Sequence, residues 1–272
     1  MSRAQALTYD HLHRRAPAIF AEAPDAGVSK QYGFMPTIHV IKALEREGWF
    51  PVHARQTHCR EPQRQPVARH LVRFRQDPGR QVQVGDSIPE LVLTNSHDRT
   101  CAFQLELGLF RLICANGMVT SVGGLGAMRV RHGRHVVESI LEHTIQLAGQ
   151  LPRIADRVEA FRSTPITRVE EQDFAEQALA LRYGEQWRQL SPVEPGAVLE
   201  ARRREDAEGT IWSVFSRVQE NLLKGGLRGR SRRGRRTRTR AIRSVHEDVR
   251  LNRGLWNLTE QLAERRGVAL AA

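Results

Sequence analysis

The sequence predicts an α+β fold, with a mostly antiparallel sheet and packed helices in its N-terminal half and a helical C-terminal half. Three observations predict it. Apolar residues recur at helical spacing between Thr37 and Gly48, short β-type runs follow from Trp49 to Cys114, and helical periodicity returns at Val136 and holds almost to the end of the chain.

Residues 1–35 are punctuated by Pro17, Pro24, Gly27 and Gly33 and read as an irregular arm with one short helix near Tyr9–Arg15. In this arm Ser29, Lys30 and Tyr32 could touch phosphate, but an ordinary surface loop is the favoured reading. Thr37 is placed to cap a helix whose Ile38, Ile41 and Leu44 share one face before Gly48 stops it. Five β-type runs follow, at 49–57, 67–75, 90–96, 102–107 and 109–114, and their sequence order implies an antiparallel meander. In the second run Arg69, His70, Arg73 and Arg75 fall where a wet, basic strand face is expected. Residues 95–98 and the pair Asn116-Gly117 carry hairpin-turn chemistry. The glycine-rich segment 123–126 lacks the lysine of a phosphate-binding loop and leads into a strand beginning at Met128.

The helical half begins with an apolar stripe over 136–161, interrupted at Gly149 to Pro152. Thr167 and Glu170 form a capping-box pattern ahead of Phe174, Ala178 and Leu181, and Gly184 closes that helix. A connector at 191–196 leads to a charged helix expected over 197–204. Thr210 then caps a helix bearing Ile211, Val214, Phe215, Val218 and Leu222, which stops at Gly225-Gly226. Val249, Leu251, Leu255, Leu258 and Leu262, with Trp256 beside them, rebuild a helical face further on. The chain thus divides into an arm (1–35), a sheet domain (36–162) and a helical region (163–272).

Between those last two helices lies the strongest chemical signal. The segment 224–243 holds Lys224, Arg228, Arg230, Arg232, Arg233, Arg235, Arg236, Arg238, Arg240 and Arg243 and no Asp or Glu. The chain carries 42 Lys and Arg against 30 Asp and Glu, a net charge of +12. The basic run supplies ten of those charges, so the basicity is concentrated, as it is in a polyanion-binding feature. Arginine offers phosphate a planar fork of donors and also stacks on bases. Because amphipathic helices bracket the run, it is expected as an anchored loop rather than a free tail. Arg73, Arg75, Arg129 and Arg131 join it as a second expected basic surface, on the sheet.

Other chemistries find little support. His132, His135 and His143 lack Cys or carboxylate partners at metal-ligand spacing, so neither a metal site nor a cofactor is expected. Glu45, Glu47, Asp86, Glu90 and Asp98 could be catalytic carboxylates, but nothing in their spacing selects a pair, and no catalytic residue is assigned. Three cysteines, Cys59, Cys101 and Cys114, form no CxxC pair, which fits a reducing cytoplasm. No apolar run has the length of a membrane span or of a signal peptide core.

Three segments together, GLFRLICANGMV at 108–119, IWSVFSRVQENLLKGGLRGR at 211–230 and DVRLNRGLWNLTEQLAE at 248–264, resemble the uncharacterised phage/plasmid-like proteins of bacteria, a domain family of unknown function. The resemblance implies bacterial origin and a plasmid or prophage setting, and brings no activity or catalytic residues. The order helix, β-meander, long helix is also similar to the core of single-strand annealing proteins, which hold single-stranded DNA along a basic groove, often as rings. The resulting expectation is a non-enzymatic cytoplasmic protein that binds nucleic acid, with single-stranded DNA favoured and a homo-oligomer compatible with the reading. A metal-dependent nucleic-acid-processing enzyme and a protein-interaction module using the Arg-rich segment are the alternatives.

Overall fold

The computed structural model describes residues 6–29, 32–77, 87–111, 116–119, 128–130 and 136–268. Contacts divide the chain into two compact units, Met1–Leu151 and Pro152–Ala272.

The first unit is built on a six-stranded sheet. Strands β1 (Trp49–Gln56), β2 (His70–Gln76), β3 (Ser87–Asn95), β4 (Phe103–Arg111) and β5 (Asn116–Val119) lie in sequence order, and β6 (Met128–Val130) also pairs with β4. Every pairing is antiparallel, as the meander expectation requires. Cross-strand rows show why the sheet has a core face. Pro51, Phe74, Leu91 and Leu107 stand in one row, and Ala54, Val72, Leu93 and Leu105 in another. Helix α2 (Thr37–Arg46), with Val40, Ile41 and Leu44 fully buried, packs on β1, and α3 (Val136–Ala148) packs on β4.

Several local expectations need correction. The runs expected at 102–107 and 109–114 join in one strand as far as Arg111, residues 112–114 lying outside the described residues: Gly108 stays in β4, paired to Glu90 on one side and Val119 on the other. Partners on both edges supply the hydrogen bonds that offset glycine's poor strand propensity. Asn116 and Gly117 lie within β5, opposite Arg111 and Phe110, rather than in a turn. Thr37 does not cap its helix. Its hydroxyl is fully buried, 2.8 Å from His70 Nε2, and accepts from Asn95 Nδ2 at 3.1 Å. The short helix expected near Tyr9–Arg15 is α1 (Tyr9–Arg15), and with the following 3₁₀ turn (Pro17–Phe20) it buries Leu12, Ala16, Ala18 and Ile19 completely. Leu7 N–H bonds to Pro51 O at 2.7 Å, which ties the segment to β1.

The second unit is a helical assembly. Pro152 sits at the second position of α4 (Leu151–Ser163), where a missing N–H costs nothing, and the break from α3 falls where the sequence placed it. Thr167 and Glu170 complete the predicted capping box of α5 (Arg168–Tyr183), which ends at Gly184 with φ 84°. Short helices α6 (Trp187–Leu190) and α7 (Pro195–Leu199) follow, so the charged helix expected over 197–204 stops at Leu199. The longer helices α8 (Ile211–Lys224), capped by Thr210, and α9 (Val245–Arg265), capped by Ser244, pack on each other as expected. Trp256 is fully buried at their contact, with Phe215 and Phe161 edge-on to it at centroid distances of 6.0 and 5.6 Å. Beside these rings, Gln219 Nε2 donates to Asn252 Oδ1 at 2.9 Å, which satisfies two buried amides with each other.

Candidate nucleic-acid interface

The basic segment between α8 and α9 is a β-hairpin, β7 (Arg228–Arg230) paired with β8 (Arg236–Arg238), where a loop was expected. Its stem grows out of the helix end. Gly225 takes φ 63°, and a Cβ there would stand 2.6 Å from the carbonyl carbon of Arg240, so the two segments approach at a distance only glycine permits. Gly226 N–H then bonds to Thr239 O at 2.8 Å, Thr239 N–H to Leu227 O at 2.9 Å, and Leu227 N–H to the Thr239 hydroxyl at 3.1 Å. At the tip, Gly234 N–H bonds to Ser231 O at 2.8 Å with Gly234 at φ 72°, the arrangement of a short hairpin turn closed by a left-handed glycine. Ile242 N–H returns to Leu223 O at 2.9 Å, which fixes the exit beside the entry.

The register then decides which side chains share a face. Arg228 stands opposite Arg238, Gly229 opposite Thr237 and Arg230 opposite Arg236. Side chains alternate along a strand, so the four arginines share one face and Gly229 and Thr237 the other. The second face lies against the connector after α6. A Cβ on Gly229 would meet Pro192 O at 1.9 Å, and Arg230 N–H donates to that same oxygen at 2.8 Å. The arginine face is therefore left to solvent, and all four side chains are exposed. They wall an open concavity of about 700 Å³ in which Gly229 and Thr237 are the remaining lining residues.

Arg232, Arg233 and Arg235 extend the exposed charge around the tip, and Arg240 and Arg243 extend it along the exit. Arg232 Nε donates to Gln189 O at 3.3 Å and Arg230 to Gly234 O at 3.2 Å, both neutral acceptors. Among the described residues none of these nine arginines is paired with a carboxylate. Lys224 differs, because its ammonium lies 2.8 Å from Glu220, which also holds Arg203 at 2.7 Å. Burial pushes the Glu220 carboxyl up, but the hydrogen bonds from Arg203 and Lys224 outweigh it and hold the group below the usual carboxylate range.

Two arginines that the sequence did not single out build the platform. Arg182 donates to Leu222 O and to Arg240 O, joining the last turn of α8 to the hairpin exit. Burial lowers the pKa of its guanidinium from the ordinary value. Arg202 donates to Asn221 Oδ1 and to Gly225 O, each at 2.6 Å, while Asn221 Nδ2 donates to Val198 O and Glu200 O. Their signal in the sequence is indirect: the last carbonyls of α8 lack helical partners, and a chain that turns away through Gly225-Gly226 must find donors for them elsewhere.

The second expected basic surface is engaged by ion pairs within the first unit. In the first unit Arg75 Nε lies 2.7 Å and Arg73 Nε 3.3 Å from the Glu90 carboxylate, whose side chain is only 1% exposed. His70, expected on the same wet face, is fully buried, and Arg69 donates to Thr100 O. Arg73 and Arg75 thus share a buried acid, with their side chains 14% and 10% exposed. Arg131 lies outside the described residues, as do His132, His135, Cys114 and Asp86, and of Arg129 only the backbone in β6 is described. Among the described residues no group of three or more His, Cys, Asp or Glu is placed to hold a metal ion, and no helix is long and apolar enough to cross a membrane.

Comparison with known proteins places the chain in a family. Two Escherichia coli (strain K12) proteins, UPF0380 protein YfjQ and UPF0380 protein YafZ, are each 38% identical to it over 261 residues, covering 96% of this chain and 93% of each relative. No solved structure matches. Residues 26–256, which include the whole hairpin, match Domain of unknown function (DUF932), and the chain belongs to that family.

Proposed function

We propose that this chain is a nucleic-acid-binding protein of a plasmid or prophage, which holds single-stranded DNA on the β7–β8 hairpin through phosphate contacts with little sequence specificity, in recombination or replication. The observation that carries the reading is the two pairs of directly opposed arginines, Arg228 with Arg238 and Arg230 with Arg236, on the solvent face of a rigidly anchored hairpin. Like charges directly opposite across a strand pair oppose folding, by about 0.2–1 kcal/mol each. An arrangement that costs stability is kept where a ligand neutralises it, and four guanidinium groups around one concavity match a run of phosphates.

The single strand is favoured because the walls of the concavity offer guanidinium planes on which unpaired bases stack, a mode that tolerates any base. The mobile-element setting rests on the resemblance of the three segments at 108–119, 211–230 and 248–264. The test is binding of purified, nuclease-treated protein to labelled single-stranded and duplex DNA, with and without magnesium. The expected result is tighter binding to the single strand, unchanged by magnesium, with the DNA intact. Magnesium-dependent cleavage would replace this reading with that of an enzyme, and no binding to either DNA at low salt would overturn it in favour of an acidic protein partner.

A further inference from the structure

We infer that the outer edge of β8 docks an acidic peptide in extended form, which adds to the hairpin as a third strand with acidic side chains at alternate positions. The inference goes beyond the nucleic-acid reading and stands on the backbone of the hairpin rather than on any bound DNA. The ladder shows where the backbone groups point. Thr239 N–H bonds to Leu227 O and Ser231 N–H to Arg235 O, each at 2.9 Å. In an antiparallel ladder such pairs alternate with pairs whose N–H and C=O groups turn outward. Arg228 with Arg238 and Arg230 with Arg236 are therefore the outward pairs. Arg230 bears this out, because its N–H leaves the hairpin and donates to Pro192 O at 2.8 Å.

The two edges of the hairpin differ in what meets them. The β7 edge lies against the connector at Pro192, and beyond β8 the carbonyl of Arg240 is taken by the Arg182 guanidinium. Between that point and the tip, the N–H groups of Arg236 and Arg238 meet no acceptor among the described residues, and both residues are exposed. An unpaired strand edge is a template for another strand. Charge decides which strand it takes. Side chains of an added strand that stand opposite Arg236 and Arg238 fall on the arginine face. A second copy of β8 would set arginine against arginine there, and like charges directly opposite are destabilising, whereas acidic residues pair with them. In an antiparallel addition the residues opposite Arg236 and Arg238 exchange both backbone bonds with them, so the acidic residues also carry the N–H groups that bond to β8. Main-chain bonds thus supply affinity, and the alternate side chains supply selectivity. Arg236 and Arg238 also wall the concavity on the arginine face, so a docked peptide occupies charges that a nucleic acid would use.

The experiment measures the binding of end-capped, fluorescein-labelled octapeptides by fluorescence anisotropy at one fixed salt concentration. The peptides are alternating Glu-Thr, a block of Glu followed by a block of Thr, and the alternating peptide N-methylated either at its Glu or at its Thr residues. All carry the same charge, so attraction by charge alone treats them alike. The alternating peptide is expected to bind about tenfold more tightly than the block peptide. N-methylation at Glu should weaken it about tenfold, because it removes the donors that face β8, while N-methylation at Thr, whose N–H points away, should leave affinity within about twofold. In the variant Arg236→Ala, Arg238→Ala the alternating peptide should lose its advantage over the block peptide. Equal affinity of the wild type for all the peptides would mean unordered charge attraction and overturns the inference, as does absence of binding to any of them. Either failure leaves the nucleic-acid reading in place, since no DNA enters the assay.

Discussion

Arg230 and Arg236 stand directly opposite each other across the hairpin, both exposed, and neither meets a carboxylate among the described residues. The neighbouring pair, Gly229 and Thr237, faces the other way, and the backbone beneath them is fastened to Pro192 O. The hairpin therefore holds its charges in a conformation that the charges themselves oppose.

One expected outcome follows directly from that conflict. Arg236→Thr places a good strand former opposite Arg230 and removes one repulsive pair. It should raise the stability of the protein by about 0.2–1 kcal/mol in urea unfolding while weakening binding to single-stranded DNA. Loss of stability together with unchanged binding would show that the arginines serve the fold.

Gly229→Ala separates geometry from charge. Its methyl group would stand 1.9 Å from Pro192 O, so the hairpin must lift from the connector. A cost of about 1–3 kcal/mol is expected, in line with overpacking elsewhere. Affinity for single-stranded DNA should drop although no charge has changed, and the same assay at matched salt reads both effects.

Glu90→Ala tests the first unit. The change leaves Arg73 and Arg75 beside an apolar residue with their shared acid gone. Removing one partner of a buried ion pair costs about 3–5 kcal/mol, so a large fall in the urea midpoint is expected. A change under about 0.5 kcal/mol would mean that the two guanidinium groups find other partners without strain.

Acid should destabilise the protein through its histidines. Burial, aided by Arg73, Arg55 and Arg15, lowers the pKa of His53 to about 3, and burial lowers that of His70 to about 3 as well. Both are depressed below the unfolded value near 6.5. The folded state therefore holds them neutral, and their contribution is fully present above about pH 6.5 and is lost as pH falls toward 3. The slope is about 1.4 kcal/mol per pH unit for each histidine. Urea unfolding at pH 7, 6 and 5 checks this, and replacing His70 with Gln should remove part of the slope.

The elements most legible in the sequence are those whose signals are local. The capping box at Thr167 and Glu170, the break at Gly149 and Pro152, and the apolar stripe of α8 depend on residues a turn apart, and each is found where the spacing placed it. The hairpin was less legible, because two three-residue strands are short and like charges obscure them. Its trace lies in the alternation of Arg228 with Arg230 and Arg236 with Arg238 around Gly234. The pairing of Arg73 and Arg75 with Glu90 could not be read locally, since it follows from the register of β2 on β3 across 15 residues of sequence. Thr37 was misread for the same reason: its hydroxyl is claimed by His70 and Asn95, which arrive from distant strands.

The most direct measurement is the salt dependence of affinity for single-stranded DNA, compared between wild type and the variant Arg228→Ala, Arg230→Ala, Arg236→Ala, Arg238→Ala. With about six to eight phosphates neutralised, log K should fall with log salt at a slope of roughly −4 to −6 in wild type. Loss of four contacts should flatten the variant's slope by about 3, with circular dichroism unchanged. Equal slopes for the two proteins would contradict the assignment of the hairpin as the nucleic-acid interface.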